Sequence, residues 1–376
     1  MRILLITDQA PEANHSTIQG IFAGHLRQFA TVDVVYFDRA IAKPAILDGK
    51  LVLPHKYRRR RTVEGLKAIT DISGYDFIIV RNLFAVLRNL LARKKDYRYR
   101  LGFWESFPHS FRRIYEARAT GRAVWRKRIE YAVKQHLERR LIEQCDFYLP
   151  ITETYRRRFY PDLRIPCHPL SMGVDFSRIQ PALHSVEAPA MKKFIYIGSV
   201  DRLRRLDLII SAFRAVKGDF VFDLYTPSDN DFVRELKSAE FADERIRICP
   251  PKPRDALFDI MRQYDVGIGL IPESPLYEVS SPTKTLEYYA AGIPAIINHL
   301  PEYSALFDEN SAFFCDLNPE AIQDAVARIL TLDGQKIRDM GEAGKRIVAE
   351  KRDYAVMAKS LFHFLQMIHA QTGPRQ

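Results

Sequence analysis

The sequence has few cysteines and contains no long apolar run. Its four cysteines (Cys145, Cys167, Cys249 and Cys315) are far apart and form no CxxC pair, which argues against a disulfide framework or a zinc knuckle and favours a reducing cytosol. No run of about 18 apolar residues occurs, so we expect no transmembrane helix. The opening stretch, MRILLITDQAPE, is interrupted by Asp8 and predicts a buried first strand instead of a signal peptide.

Charge is unevenly distributed along a chain of otherwise ordinary globular composition. The 376 residues carry a net charge of +11. In residues 1–185, Lys and Arg outnumber Asp and Glu by 33 to 18, whereas in the remainder they number 24 against 28. A basic half implies an anionic partner, for which nucleic acid, anionic lipid headgroups and phosphorylated substrates are all candidates.

Apolar runs alternate with helical patterns twice along the chain. The first series begins with a strand at Ile3–Ile6 and a helix over 21–29, and its last helices cover 112–143. The second series starts at 194–198, includes strands at 220–225 and 265–271, and ends near 293–297. Alternation of this kind predicts α/β structure with mostly parallel sheets. We therefore predict two doubly wound Rossmann-like domains, 1–185 and 186–354, joined by a linker at 181–192 and followed by a C-terminal helix in 355–376. Ligands of such domains bind at the carboxyl ends of the strands.

Two segments of the second half carry features of an anion site. Ser280 to Pro294 predicts a polar loop and then a short helix, whose free amides would attract an anion. Glu287, one turn into that helix, suits the diol of a ribose. A second segment, Gly198 to Arg205, places three arginines after a strand, where they could clamp a diphosphate. A capped surface helix and a solvated arginine run are the alternatives.

These segments, with a Gly-Val-Asp turn at Gly173–Asp175, follow one another in the order found in GT-B glycosyltransferases. The chain resembles in particular the retaining family 4 enzymes, through Gly20, Gly198 with Arg204 six residues on, and Glu287 followed by Ala-Ala-Gly-Ile-Pro. The resemblance implies a two-domain fold whose C-terminal helix packs back on the first domain. It also implies transfer of a sugar from a nucleoside diphosphate sugar, with UDP first and GDP next as the nucleotide.

The resemblance also implies roles for individual residues. Arg204 would contact the donor diphosphate, Glu287 would hold the ribose, and Gly20 would belong to a loop over the donor. The donor-binding residues implied in this way, with neighbours that could replace missing family residues, are Gly20, Gly198, Arg202, Arg204, Glu278, Ser280, Ser281, Pro282, Thr283, Lys284 and Glu287.

Three positions depart from the family pattern. The first Glu of the family's Glu-x7-Glu pair falls at Val279, beside Glu278. Ser199 replaces an arginine, for which Arg202 could substitute. No clear match exists for the family's N-domain histidine, and Glu105 and His109 occupy roughly its place, so we take both as candidate catalytic residues. An inverting enzyme would need a base such as Glu105 or Asp8, whereas a retaining enzyme need not have one.

Cations and helix amides can stabilise the leaving diphosphate without a metal. Arg204, Arg202 and Lys284 would supply the charge, and we expect neither a cofactor nor a metal ion. The motif Asp229-Asn230-Asp231 has the DxD pattern of metal sites in another glycosyltransferase fold, but here we expect it in a surface loop.

Basic runs interleaved with aromatic residues mark the N-terminal half as an acceptor or membrane-facing domain. We predict peripheral attachment to the cytoplasmic face of an inner membrane and a lipid-linked or glycan acceptor in bacterial surface polysaccharide assembly. The residues of this patch are Lys56, Arg58, Arg59, Arg60, Arg61, Arg112, Arg113, Arg126, Lys127 and Arg128. A nucleotide-sugar epimerase and a non-catalytic protein that binds an anionic polymer or a membrane are the alternatives; no nucleic-acid motif stands out.

Overall fold

The computed structural model describes residues 1–13, 15–112, 124–179 and 191–371. The chain forms two compact units. Unit 1 comprises Met1–Met172, Val279–Ser281 and Tyr354–Gln376, and unit 2 comprises Gly173–Glu278 and Pro282–Asp353. The predicted boundary at residue 185, most of the predicted linker and Arg113 lie outside the described residues.

Unit 1 is built on a seven-stranded sheet in the order β3-β4-β2-β1-β5-β6-β7. All its pairings are parallel except that of β3 with β4. Its strands are β1 (Arg2–Ile6), β2 (Thr31–Asp38), β3 (Ala45–Leu47), β4 (Lys50–Pro54), β5 (Phe77–Arg81), β6 (Arg100–Glu105) and β7 (Phe147–Pro150). Strands buried on both faces explain the continuous apolar runs of the sequence.

Helices cover both faces of this sheet. Leu4 and Ile6 face one helical layer, whereas Ile3 and Leu5 face another that includes the C-terminal helix. The α-helices of unit 1 are Thr62–Lys67, Phe84–Ala92, Val124–Glu143, Glu153–Phe159 and Tyr354–Gln371. Its short helical turns are Ile18–Phe22, His25–Gln28, His55–Arg58, Ile72–Gly74 and Lys94–Asp96. In the described chain no helix is long and apolar enough to cross a membrane.

Unit 2 is built on a six-stranded parallel sheet in the order β10-β9-β8-β11-β12-β13. Its strands are β8 (Lys192–Ile197), β9 (Phe220–Tyr225), β10 (Ile246–Cys249), β11 (Val266–Ile268), β12 (Ala295–Ile297) and β13 (Phe313–Phe314). Its α-helices are Leu206–Ala215, Asp231–Leu236, Arg254–Met261, Thr283–Ala290, Pro301–Ser304, Pro319–Thr331 and Gly334–Arg352. Its 3-10 turns are Phe176–Arg178, Arg202–Arg204 and Ala239–Phe241.

The structure corrects two local predictions. The helix expected over 21–29 is instead a π-helical turn, Ile18–Phe22, followed by a 3-10 turn, His25–Gln28. The strand expected over 265–271 is only Val266–Ile268; the Gly269 amide still donates to the Ile296 carbonyl at 2.8 Å, but the Ile271 amide donates to the Asn298 side chain. In both cases the apolar residues are buried as expected, so burial was predicted better than backbone conformation.

Candidate donor site and its surroundings

In unit 2 the chain first extends the sheet from β8 through β9 to β10, and then extends it from the other side of β8 through β11 and β12 to β13. The strand order therefore reverses between β8 and β11. In open α/β sheets, ligands bind at the carboxyl ends of the strands at such a switch point. Gly198 follows β8 there with a φ of +148°, a conformation that L side chains rarely adopt. The 3-10 turn Arg202–Arg204 comes next, with the Asp201 carboxylate accepting a hydrogen bond of 3.1 Å from the Arg204 amide.

Arg204 and Lys284 come together at this point, around the ring of Tyr196 on β8. The Lys284 ammonium lies 4.0 Å from the centre of that ring. Burial of the ammonium holds the pKa of Lys284 well below its ordinary value, and repulsion by Arg204 adds to the effect. An incoming anion favours the charged form of Lys284, so these two basic groups together suit an anion bearing more than one charge.

The helix that carries Lys284, Thr283–Ala290, is fixed to the ends of the strands. The Ile197 amide of β8 donates a 2.9 Å hydrogen bond to the Tyr288 hydroxyl, one turn after Lys284. Thr285 and Tyr303 hydroxyls lie 2.6 Å apart, and Tyr303 donates to the Gly269 carbonyl. Pro282 precedes the helix, so its free amides begin at Thr283.

Glu287 lies half-buried on the same helix, four residues after Thr283. Residues four apart share one helical face. This placement keeps Glu287 near the start of the helix, as its predicted role on a ribose requires, and that role remains a prediction.

Arg202 does not join Arg204. Its guanidinium instead pairs with Glu235 and stacks 4.9 Å over the Phe232 ring, both on the helix Asp231–Leu236. Arg204 also lies beside a carboxylate, with its Nε 3.6 Å from Asp201 Oδ2, so an ion pair alone does not separate the two arginines, and the suggestion that Arg202 replaces the missing arginine at Ser199 stays a prediction. Asp229 and Asp231 both pair with Arg234, and Asn230 caps the helix, so this motif serves as a helix start in a surface loop, as expected.

The predicted donor loop is divided between the units. The chain leaves unit 2 after Glu278, contributes Val279–Ser281 to unit 1, and returns at Pro282. The Val279 side chain is buried in the apolar core of unit 1, and its carbonyl accepts a 3.0 Å hydrogen bond from the Thr152 hydroxyl. A carboxylate at position 279 would be buried in that core, which explains the departure from the family pattern.

The adjoining residues of this excursion are fixed within unit 1 as well. The Ser281 hydroxyl accepts a 3.1 Å hydrogen bond from the Met172 amide. Ser280 is half-buried beside it, and Glu278 is the last residue of unit 2 before the excursion. Their predicted contacts with a donor phosphate remain predictions.

Unit 1 has its own switch point, between β1 and β5, and a polar network occupies it. Arg81, at the end of β5, pairs with Asp8, which follows β1. The Asn82 amide donates to the Asp8 carboxylate at 3.2 Å and to the Ser106 hydroxyl at 2.9 Å. Asn82 has a φ of +57°, a strained conformation that is often found at functional sites.

His109 belongs to this end of unit 1. Burial lowers the pKa of His109 below its ordinary value; the Asp8 carboxylate opposes this shift, and repulsion by Arg81 and Arg112 adds to it. Although burial alone would raise it, the pKa of Asp8 lies below its ordinary value because of Arg81 and the hydrogen bond from Asn82. His109 is therefore a neutral group beside an ionised carboxylate.

Glu105 needs correction as a candidate base, because it is buried inside unit 1. Its carboxylate accepts a 2.8 Å hydrogen bond from the Tyr148 hydroxyl, and Tyr155 and Tyr160 also bond to it. Burial, with the nearby Glu138, raises the pKa of Glu105 to about 8. A carboxyl group enclosed in this way cannot reach the hydroxyl of an acceptor.

Gly20 also has a structural role that the sequence prediction missed. It is buried in the turn Ile18–Phe22, and a Cβ atom there would lie 2.1 Å from the Tyr354 ring of the C-terminal helix. The prediction of a loop over the donor is therefore wrong for Gly20, since the position is packed beneath that helix.

The predicted patch residues lie on the surface of unit 1 where they are described. Lys56 and Arg59 to Arg61 are exposed beside the start of the helix Thr62–Lys67, and Arg58 is half-buried. Arg126 and Arg128 are exposed on the helix Val124–Glu143, where Lys127 pairs with Glu130 at 2.6 Å. Sequence reasoning missed Arg81, Asn82, Ser106 and Tyr196; the Arg81-Asn82 pair directly follows a predicted strand and could have been found.

Comparison with known proteins agrees with this organisation. Residues 205–363 match the family model described as glycosyl transferase-like. A search of curated proteins returns no match.

Solved structures that resemble the chain over its length share its fold. A sucrose-phosphate synthase of Thermosynechococcus elongatus has a TM-score of 0.73 at 14% identity, with 99% of this chain and 100% of that chain covered. A glycosyltransferase of Rickettsia africae has a TM-score of 0.71 at 12% identity, with 99% of each chain covered. A trehalose-6-phosphate protein of E. coli, described with bound UDP-2-fluoro glucose, has a TM-score of 0.69 at 13% identity, with both chains fully covered.

The two sheets, parallel except for the pairing of β3 with β4, and these similarities define the GT-B fold, as predicted from the sequence. The segment that carries Lys284 and Glu287 lies within the residues that match the glycosyl transferase-like model.

Proposed function

We propose that the chain transfers a hexose from a nucleoside diphosphate sugar to a glycan or lipid-linked glycan, in bacterial surface polysaccharide or glycolipid assembly. UDP is the proposed nucleotide and GDP the second choice. The observation that carries the proposal is the pair of cations Arg204 and Lys284 at the switch point of unit 2. The bound UDP-2-fluoro glucose named for the similar E. coli structure supports the choice of UDP.

The departing diphosphate gains negative charge as the bond to the sugar breaks. Lys284, Arg204 and the free amides at the start of the helix Thr283–Ala290 would stabilise that charge. Glu287 would accept hydrogen bonds from the ribose hydroxyls. We propose that these groups act without a metal ion or other cofactor.

The acceptor is proposed to bind at the switch point of unit 1, beside the hydrogen-bonded pair Asn82 and Ser106. We propose retention of configuration, because neither predicted base suits an inverting reaction. Glu105 is enclosed by tyrosines, and Asp8 is held ionised by its pairing with Arg81. A carboxylate stabilised in this way is a weak proton acceptor.

The basic surface of unit 1 suits an acceptor carried by an anionic membrane. Lys56, Arg59, Arg60 and Arg61 are exposed together, and each basic residue near such a surface contributes about 1 kcal/mol of attraction. We therefore propose that the enzyme works as a peripheral protein on the cytoplasmic face of the membrane.

Thermal-shift measurements with UDP, GDP, ADP and their sugar conjugates, with and without EDTA, test the donor site. Ligand at 100 times its dissociation constant adds about 2.7 kcal/mol to stability. We expect a shift with UDP or GDP that EDTA does not change. No shift with any nucleotide would refute the donor proposal, and a shift lost in EDTA would refute metal independence. The anomeric configuration of the product, read by NMR, tests retention.

A further inference from the structure

The helix Val124–Glu143 presents apolar side chains to solvent on one face. Four of them, spaced four residues apart, have large exposed fractions: Trp125 (70%), Ile129 (58%), Val133 (58%) and Leu137 (54%). Residues at this spacing form a continuous stripe along one side of a helix. We call these four residues the apolar stripe. A contiguous exposed apolar surface of this kind marks an interaction site.

The opposite face of the same helix is already occupied. Ile142 is buried in the core of unit 1, and the Gln135 amide donates a 3.1 Å hydrogen bond to the Phe159 carbonyl. Glu138 accepts a 2.8 Å hydrogen bond from the Ser110 hydroxyl. The helix therefore needs no further burial for its place in the fold, and the apolar stripe has no role in holding it there.

The charges beside the apolar stripe indicate what covers it. Six of the 20 residues of the helix are Lys or Arg and three are Glu, of which Glu138 is buried. Arg126, Arg128 and Arg140 form no ion pair within the described chain, whereas Lys127 and Arg139 pair with Glu130 and Glu143. A second copy of the chain would bring two helix faces of the same net positive charge together, which is unfavourable.

An anionic membrane matches both the exposed apolar stripe and the basic side chains beside it. Long basic side chains extend their charges to the headgroups while apolar neighbours enter the boundary of the acyl chains, and Trp favours that depth. The helices Thr62–Lys67, Phe84–Ala92 and Val124–Glu143 pack in sequence over one face of the sheet. The exposed arginines at 59–61 and the apolar stripe therefore belong to the same helical layer of unit 1.

We propose that the apolar stripe inserts into the surface of an anionic membrane and that its basic neighbours bind the headgroups. The inference rests on the peripheral attachment proposed above and assigns the surface and the mode of binding.

Tryptophan fluorescence of the protein can detect this insertion without an added label. Only two tryptophans occur, and Trp104 is fully buried whereas Trp125 is exposed. Vesicles of phosphatidylcholine with phosphatidylglycerol should shift the emission of the full-length protein to shorter wavelength, and Trp125→Phe should remove that shift. We expect much weaker binding to phosphatidylcholine alone.

The variant Ile129→Asp with Val133→Asp tests the apolar stripe in vesicle sedimentation. We expect binding to fall by about tenfold or more, because two buried side chains are lost. Ile46→Asp is the matched control, since Ile46 is 59% exposed on β3, and it should bind as the wild type does. Circular dichroism establishes that each variant is folded.

Unchanged vesicle binding by the double variant, or an unchanged Trp125 emission, would overturn the inference. A wild-type dimer that the double variant dissociates, without any response to vesicles, would overturn it in favour of a second copy. Nucleotide binding is measured on the same preparations. If the protein binds vesicles but no nucleotide, only the donor site is refuted. If it binds nucleotide but no vesicles, only the membrane surface is refuted.

Discussion

The ammonium of Lys284 lies 4.0 Å from the centre of the Tyr196 ring, and Arg204 repels it from nearby. A cation over an aromatic face gains some attraction, but the pKa of Lys284 remains well below its ordinary value. The free protein thus holds a lysine that an incoming anion would help to ionise.

Proton uptake should accompany donor binding for this reason. A bound diphosphate favours the charged form of Lys284 and raises its pKa, so protons are taken up from the buffer. Calorimetric titration with UDP in buffers of different ionisation enthalpy measures this uptake. Lys284→Met should abolish the uptake and weaken UDP binding by about 10- to 150-fold, the value of a hydrogen bond to a charged group. An uptake that persists in the variant would assign the proton to another group.

Arg204 and Arg202 form a matched pair for testing the diphosphate contact. Arg204→Ala should weaken UDP binding by about 10- to 150-fold. Arg202→Ala should change it by less than about threefold, because the Arg202 guanidinium lies against Phe232 and Glu235 of the helix Asp231–Leu236, whereas Arg204 acts on Lys284. Equal losses in the two variants, measured by calorimetry, would contradict the separation of the two side chains.

The variant Glu287→Ala should separate the contribution of the nucleoside to binding from that of the phosphates. If its carboxylate accepts hydrogen bonds from the ribose, Glu287→Ala should weaken UDP binding by about 10- to 150-fold. Binding of inorganic diphosphate, which has no ribose, should not weaken in the same variant. A parallel loss for both ligands would point to damage of the helix Thr283–Ala290 instead.

Glu105 should make stability depend on pH. Its pKa rises from 4.5 to about 8 in the folded chain, so the native state keeps a proton that the unfolded state loses. The free energy of unfolding should therefore fall as pH rises from about 5 to 8, by at most about 1.4 kcal/mol per pH unit. Glu105→Gln should flatten this slope.

Denaturant unfolding at several pH values measures that slope. Glu309→Gln, at an exposed position, is the control and should leave the slope as in the wild type. A slope unchanged in Glu105→Gln would show that Glu105 is not the group that holds the proton.

Much of the fold could be predicted because its strands are buried on both faces and therefore appear as apolar runs. The first strand, Arg2–Ile6, and the strand Phe220–Tyr225 were predicted to within one residue. The conformation of Ile18–Phe22 could not be predicted in the same way. Its π-helical turn fits beneath Tyr354, which lies more than 300 residues later in the chain. The residues near Ile18–Phe22 in the sequence therefore do not indicate this contact.

The site was predicted less completely, for a related reason. Three arginines close in sequence gave no indication of which would lie near Lys284; the structure places Arg204 there, whereas Arg202 lies against Glu235. Glu105 ends a strand, as catalytic carboxylates often do, but Tyr148, Tyr155 and Tyr160 enclose it. Whether such a residue faces a ligand depends on side chains from distant segments of the chain. The helix Thr283–Ala290, in contrast, depends on its own residues and could be predicted from them.

The place of the last helix has a consequence for how the chain folds during synthesis. Ile3 and Leu5 of the first strand pack in a core that includes Leu361 and Leu365 of Tyr354–Gln371, and unit 1 also needs Val279. The early turns Ile18–Phe22 and His25–Gln28 cover part of that face of the sheet, but the rest must stay uncovered until residues 354–371 have been made. Unit 2 lies within 173–353, so we expect the half that is made second to complete its fold first.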